Sequence, residues 1–237
     1  VNGATASAAT LELLNAKTSV DIKVDAKEVT GIFTELNEVY VTKATDYENL
    51  GNENIKITDL TVAVADANTI ANKTSGVVTA TIAAGEAAAL NGALDDKTVG
   101  QKTVNAYSLT VNDTVGGAAA KDLNDLEDKT SVVVDAKAVK AINGSAADIK
   151  KVLAAKTITR AADVDATVDG VISAADANTI SKATTGEVKA TVATGTAAAL
   201  KSALAGVSND NNDALTLKVS GTTATAADLN ALDAKTS

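Results

Sequence analysis

The chain contains no cysteine, histidine, methionine, proline or tryptophan, and only three tyrosines and one phenylalanine. Each absence excludes something. Without cysteine there is no disulfide, no thiolate nucleophile and no zinc–sulfur centre. Without histidine the commonest general base and metal ligand is gone, and an enzyme would be left with carboxylate chemistry. With so little aromatic volume, an ordinary globular core is hard to fill. The hydrophobic residues, 46% of the chain, are mostly Ala, Val, Leu and Ile, which suits thin layers packed closely and repeated. Positive charge is also scarce. Twenty-one Lys and Arg against 30 Asp and Glu leave a net charge of −9 and a pI near 4.6. That argues against nucleic acid and anionic lipid as partners, because both need clustered cations. It favours solubility and divalent cations. No run is apolar enough for membrane insertion, and there is no signal peptide. The chain opens Val1-Asn2-Gly3 without an initiator Met, which reads as a piece of something longer.

What is present is a repeat. Three segments are nearly alike: ATLELLNAKTS (9–19), AKDLNDLEDKTS (120–131) and AADLNALDAKTS (226–237). VDAKEV (24–29) returns as VDAKAV (134–139), ADANTI (65–70) at 175–180, and AAAL (87–90) at 197–200, each 110 residues later. Two copies of a module of about 110 residues follow, 1–119 and 120–237, the second running into the start of a third period. Within them, positions Thr10, Glu38, Asp66, Ala89, Asp122, Asp148, Asp176, Ala199 and Asp228 mark nine smaller units. Their spacings are 28, 28, 23, 33, 26, 28, 23 and 29 residues.

One unit reads as strand then helix. LTLKV (215–219) alternates apolar and polar positions, Gly221 breaks it, and 225–237 forms a short helix. Thr225/Asp228, Ser145/Asp148 and Ser173/Asp176 are capping-box patterns with Asp in place of the usual Glu. The residue after each marker, and the one three further on, form an inward stripe: Leu11/Leu14, Ile149/Val152 and Leu229/Leu232 are examples. The expected fold is α/β: a repeat solenoid of about nine strand–helix units, with parallel strands and short Ala-rich helices. The rival is two globular α/β domains of four units each, joined near residue 120.

Candidate chemistry is sparse. DATVDGVISAAD (165–176) can be read as a calcium loop. Asp165, Thr167 and Asp169 take the first, third and fifth positions, Gly170 the turn, Val171 the carbonyl and Asp176 the twelfth. Thr at the third position and Asp at the twelfth depart from the pattern. In the first module Ile55 and Leu60 stand 110 residues before Asp165 and Gly170. The plain alternative is a strand turn followed by a capping Asp. SNDNND (208–213) offers Asp210 and Asp213, or simply a solvated turn. Thr79, Thr81, Thr191 and Thr216 could form an ice-binding array, against ordinary β-propensity. The KTS triplets read as helix ends, with Lys suited to the helix dipole.

The units LNALDAKTS, VDAKAV, GSAADI, LGNENIKITD (50–59) and ADANTI resemble a repeat family of giant, Ala/Thr/Asp-rich proteins of marine picocyanobacteria. Its best-known type is the very large cell-surface protein that Synechococcus needs for non-flagellar swimming. Other bacterial adhesins and cyanophage structural proteins carry similar repeats. The resemblance covers nearly the whole chain and supplies no catalytic residue. It implies a non-catalytic structural or adhesive segment of a secreted surface protein, in a cell coat, surface layer or fibre. Its partners would be other copies or segments of the same protein, or the cell envelope. The alternatives are a phage or virus fibre protein, or a calcium-dependent binding module.

Overall fold

The computed structural model describes residues 1–95, 105–207 and 212–237. Its chain alternates strands and helices. The first half runs β1 (Asn2–Ser7), α1 (Ala8–Asn15), β2 (Ile22–Lys23), β3 (Asp25–Gly31), α2 (Phe33–Asn37), β4 (Tyr47–Glu48), β5 (Asn54–Ile57), α3 (Val64–Ala71), β6 (Val78–Thr81), α4 (Ala87–Ala93) and β7 (Ala106–Ser108). The second runs β8 (Ala118–Ala119), α5 (Ala120–Asp128), β9 (Val134–Ala136), β10 (Ala141–Gly144), α6 (Ala146–Ala154), β11 (Ile158–Arg160), β12 (Asp165–Ile172), α7 (Ala174–Ser181), β13 (Val188–Val192), β14 (Gly195–Thr196), α8 (Ala197–Ala203), β15 (Ala214–Thr216), β16 (Val219–Ser220) and α9 (Ala226–Asp233).

Two five-stranded sheets result, with the orders β1-β3-β5-β6-β7 and β15-β13-β12-β10-β8. Their ladders are parallel, and strands follow one another in chain order. Three two-stranded pairs, β2-β4, β9-β11 and β14-β16, lie beside them, and the described residues form no closed barrel. The expected α/β class with parallel strands and short helices is therefore present. The expected strand over 215–219 is split: β15 stops at Thr216 and β16 starts at Val219. The chain divides into two compact units. One holds Val1–Gly85, Ala89–Thr110 and Leu126–Val134; the other holds Glu86–Ala88, Val111–Asp125 and Asp135–Ser237.

A helix of seven to nine residues is too short to hold in water alone, so its stability must come from packing. Neighbouring helices pack side by side: α1 on α2 and α2 on α3 in the first unit, and α6 on α7, α7 on α8 and α8 on α9 in the second. The first position of the expected stripe is buried from Leu11 through Val39, Ala67, Leu90, Leu123, Ile149, Ala177 and Leu200. The second position is exposed at Leu14 of α1 (42%) and at Thr42, against the expected stripe, and it departs differently in α4 and α8. There Ala93 and Ala203 are not buried, and Leu94 and Leu204, one residue later, fill the core. A four-residue step lets a Leu replace a methyl where the helix is otherwise nearly all Ala. The cap hydroxyls accept as expected, while the carboxylate half of the capping box takes another partner. The Asp148, Asp176 and Asp228 amides donate to Ser145, Ser173 and Thr225 hydroxyls at 3.1, 3.0 and 3.1 Å. The Asp carboxylate, one methylene shorter than Glu, accepts from the capping hydroxyl itself, at 2.6 Å from Ser145 and 2.8 Å from Ser173.

Two glycines mark where backbone passes close to backbone. A Cβ on Gly76 would sit 2.1 Å from the Glu53 carbonyl oxygen, and one on Gly186 would sit 2.5 Å from those of Asp163 and Val164. These positions are 110 residues apart and do the same work in each module. Gly186→Ala is expected to destabilise the chain by about 2 kcal/mol through overpacking against rigid backbone. Urea unfolding of the variant beside the parent measures it, and an unchanged midpoint would show that the two segments do not touch.

Candidate functional site

The segment 165–176 is a strand running into a helix. Asp165, Thr167 and Asp169 lie on β12, exposed between the buried Ala166 and Val168. Side chains two apart on a strand share a face about 6.5–7 Å apart, so these three form a row. They do not converge on a point as calcium ligands do. Gly170 has the left-handed φ of 72° expected of a turn glycine, but it sits inside β12, at a register shift against β13. Val171 pairs with Thr191 in that ladder, so the expected metal-facing carbonyl belongs to sheet backbone. Asp176 is the third residue of α7, where it accepts from Ser173 and pairs with Lys150 of α6. The Lys150 ammonium, then the Ser173 hydroxyl, hold its carboxyl below the ordinary aspartate value. The described residues contain no cluster of three or more carboxylates fit to hold a metal.

The ladders also correct the alignment of the two modules. Ile55 pairs with Val78, and Ala166 with Val188. The residue matching Asp165 is therefore Asn54, not Ile55. Both do one job: Asn54 Oδ1 accepts the Val77 amide at 2.9 Å, and Asp165 Oδ1 accepts the Glu187 amide at 2.8 Å. A neutral amide serves as well as the carboxylate, so the position needs an acceptor and not a charge.

In SNDNND, residues 208–211, with Asp210 among them, lie outside the described residues. Asp213 is fully buried. Its Oδ1 accepts the Val188 amide at 2.9 Å and its Oδ2 the Ser181 hydroxyl at 2.6 Å. Asn105 holds the matching place in the first module, accepting the Val78 amide at 3.0 Å.

Threonines that follow the helices, in the KTS triplets 73–75, 129–131 and 235–237 and at Thr184 of Lys182-Ala183-Thr184, do more than end them, whereas the Thr18 hydroxyl bonds the Val20 backbone instead. The Thr184 hydroxyl donates to the Val164 carbonyl at 2.6 Å and accepts the Gly186 amide at 3.0 Å. Thr74 does the same with the Glu53 carbonyl and the Gly76 amide, and Thr130 with the Tyr107 carbonyl and the Val132 amide. Thr236 both donates to and accepts from the Leu215 backbone. The lysines reach a neighbouring helix: Lys129 Nζ donates to the Leu94 carbonyl at 2.7 Å, and Lys235 Nζ to the Val207 carbonyl at 2.6 Å. These follow the ends of α4 and α8, where helical carbonyls lack partners. The signal for this role was the triplet's own recurrence, which reads equally as a helix terminus.

A further row of side chains links five of the helices to the segment that follows. Two residues past the marker, Asn68 donates to the Ala93 carbonyl, Asn124 to the Asp148 carbonyl, Lys150 to Asp176 and Lys201 to Asp228, while Asn178 accepts the Gly206 amide. Glu53 is a buried carboxylate, accepting from the Tyr40 hydroxyl and the Gly51 and Asn52 amides. Burial, then the Glu53 contact, push the Tyr40 phenol well above its ordinary value. A polar cleft of about 680 Å³ beside it is lined by Asp25, Lys27, Asn49 and Asn52 among others, with Asn49 Nδ2 donating to Asp25 at 2.8 Å.

One face of each sheet is left open. Its residues pair in rows across the strands: Ser7-Thr30-Lys56-Thr79 and Thr81-Ser108 in one sheet, Asn143-Thr167-Lys189 and Thr191-Thr216 in the other. All are exposed or half-exposed. Thr79 and Thr81 thus lie on the outer face of one sheet and Thr191 and Thr216 on that of the other, among lysines, serines and an asparagine. Compared with known protein families, curated proteins and solved structures, the chain matches none.

Two outcomes follow from these contacts. Asp213→Asn should be tolerated, since Asn105 already fills the equivalent place. Asp213→Leu should cost about 1–3 kcal/mol by stranding the buried Val188 amide, and equal midpoints for the two variants in thermal unfolding would refute the role. Asp176 should titrate below the ordinary aspartate range by carboxyl-carbon NMR, and Lys150→Met should return it upward. Because the folded value is depressed, the contribution is present at neutral pH and fades as pH falls through that value.

Proposed function

We propose that this chain is a non-catalytic structural or adhesive repeat segment of a large secreted bacterial cell-surface protein, its strand–helix units running on as a solenoid. The observation that carries the reading is where the polar side chains go. Buried Asp213, Glu53 and Asn105, the post-helix threonines and the helix-to-helix Asn and Lys residues all bond backbone or side chains of adjoining segments. Groups tied up in this way hold units together. The composition supports it: a core of small aliphatic residues needs neighbours to close it, and a chain without cysteine withstands an oxidising exterior unchanged. The open sheet faces give such a segment an adhesive surface of hydroxyls, amides and lysines, and other segments of the same protein or the cell envelope are its partners.

Antibodies raised against the chain test the placement. They should label intact, unpermeabilised cells of the source organism. Labelling that requires permeabilisation would overturn the surface assignment, and labelling of purified virus particles instead would move it to a fibre protein.

A further inference from the structure

The segment Ala226–Asp233 (α9) belongs to the same type of unit as Ala120–Asp128 (α5), and the two are buried differently. Aligned on Asp122 and Asp228, four residues separate them. Ala118, Ala120, Leu123 and Asn124 are 0%, 0%, 1% and 4% exposed. Their counterparts Ala224, Ala226, Leu229 and Asn230 are all exposed, Leu229 at 44%. The other half of the unit is alike in both. Leu126 and Leu232 are buried, Lys129 and Lys235 cap a helix end, and Thr130 and Thr236 clamp a strand carbonyl. The difference is thus confined to one face.

The chain itself shows what covers that face. Ala118 and Ala119 pair in parallel with Ile142 and Asn143 of β10. Asn124 Nδ2 donates to the Asp148 carbonyl, in the first turn of α6. Both partners belong to the unit that follows the KTS of α5, residues 132–154. The third unit of this type, α1, is likewise followed by a VDAK unit, and its Ala6 and Leu11 are 7% and 0% exposed. β1 pairs there with β3, Ala6 opposite Val29.

We infer that Ala224, Leu229 and Asn230 form a docking surface for a strand–helix unit of the 132–154 kind. Its strand carries the Ala-Ile-Asn-Gly pattern, and its helix opens Ser-x-x-Asp. The strand adds in parallel beside Ala224 and Thr225, a short aliphatic side chain seats on Leu229, and the Asn230 amide donates to a first-turn carbonyl of the incoming helix. The inference rests on the repeat reading above and names its next contact.

The test appends residues 132–154 directly after Ser237, the spacing they have after Ser131, so that the unit is presented at high effective concentration. Amide exchange at Leu229 and Asn230 is expected to slow at least about tenfold relative to the parent chain. Leu229→Asp should abolish that protection while leaving the melting temperature of the unextended chain unchanged, since Leu229 is exposed there. An appended segment that remains unfolded, with Leu229 and Asn230 exchanging as in the parent, overturns the inference. So does a concentration-dependent dimer of the unextended chain that protects the same residues, which would assign the face to a second copy. Neither result bears on surface labelling of cells, so failure here is separable from failure of the proposed function.

Discussion

A strand-and-helix circuit must bring the chain back beside its own start, and there backbone meets backbone. In four circuits a carbonyl within or just before a strand lies at that point, and burying it without a partner would cost about 1–3 kcal/mol. A threonine after the helix meets it. Thr74, Thr130, Thr184 and Thr236 reach back 21, 23, 20 and 21 residues to do so. A hydroxyl suits the place because it donates to the carbonyl and still accepts from an amide two residues on. In two circuits glycine follows, because a Cβ there would collide with the same backbone. The length of the circuit, and hence the period of the sequence, follows from this closure.

Everything else works between circuits. The helices are too short to persist alone, so each depends on the next for both apolar cover and polar partners. The Asn or Lys two residues past the marker supplies the polar half of that contact, and its chemistry varies while its position does not. Asn68 and Asn124 meet a carbonyl, Asn178 an amide, and Lys150 and Lys201 a carboxylate. Such pairs are partly exposed and individually weak. They act by fixing which unit sits next to which, a nearest-neighbour logic that repeat proteins share.

Much of this was legible in the sequence, and what was not has a common cause. Helix caps, the strand alternation and the 110-residue period are local patterns, and Ser145, Ser173 and Thr225 cap as read. The threonine clamp was missed because its partner lies about twenty residues away, where local reading sees only Lys-Thr-Ser after a helix. The calcium reading of 165–176 took strand residues for a loop for a related reason. Acidic and polar residues at alternate positions suit a metal loop and a half-exposed strand equally, and the ladders with β10 and β13 put 165–172 in a strand. The fixed 110-residue offset also slipped by one residue at Asp165, because one module carries an extra position that a constant offset cannot absorb. Leu94 and Leu204 show the same limit, since a three-residue step assigned the core to Ala93 and Ala203.

Parallel sheets are ordinarily covered on both faces, and their strands then read as continuous apolar runs. These strands alternate instead, because only one face is packed. That separates two kinds of position. Inward residues are held to apolar side chains by packing: Val78 and Val188 are identical, and Ile55 matches Ala166. Outward residues are free of that limit. Lys56 of one sheet stands where the other has Thr167, and Thr79 where the other has Lys189. The cations trade strands between modules without disturbing anything beneath them. Packing therefore constrains the inward rows of the two modules and leaves the outward rows as the place where they differ without cost to the core.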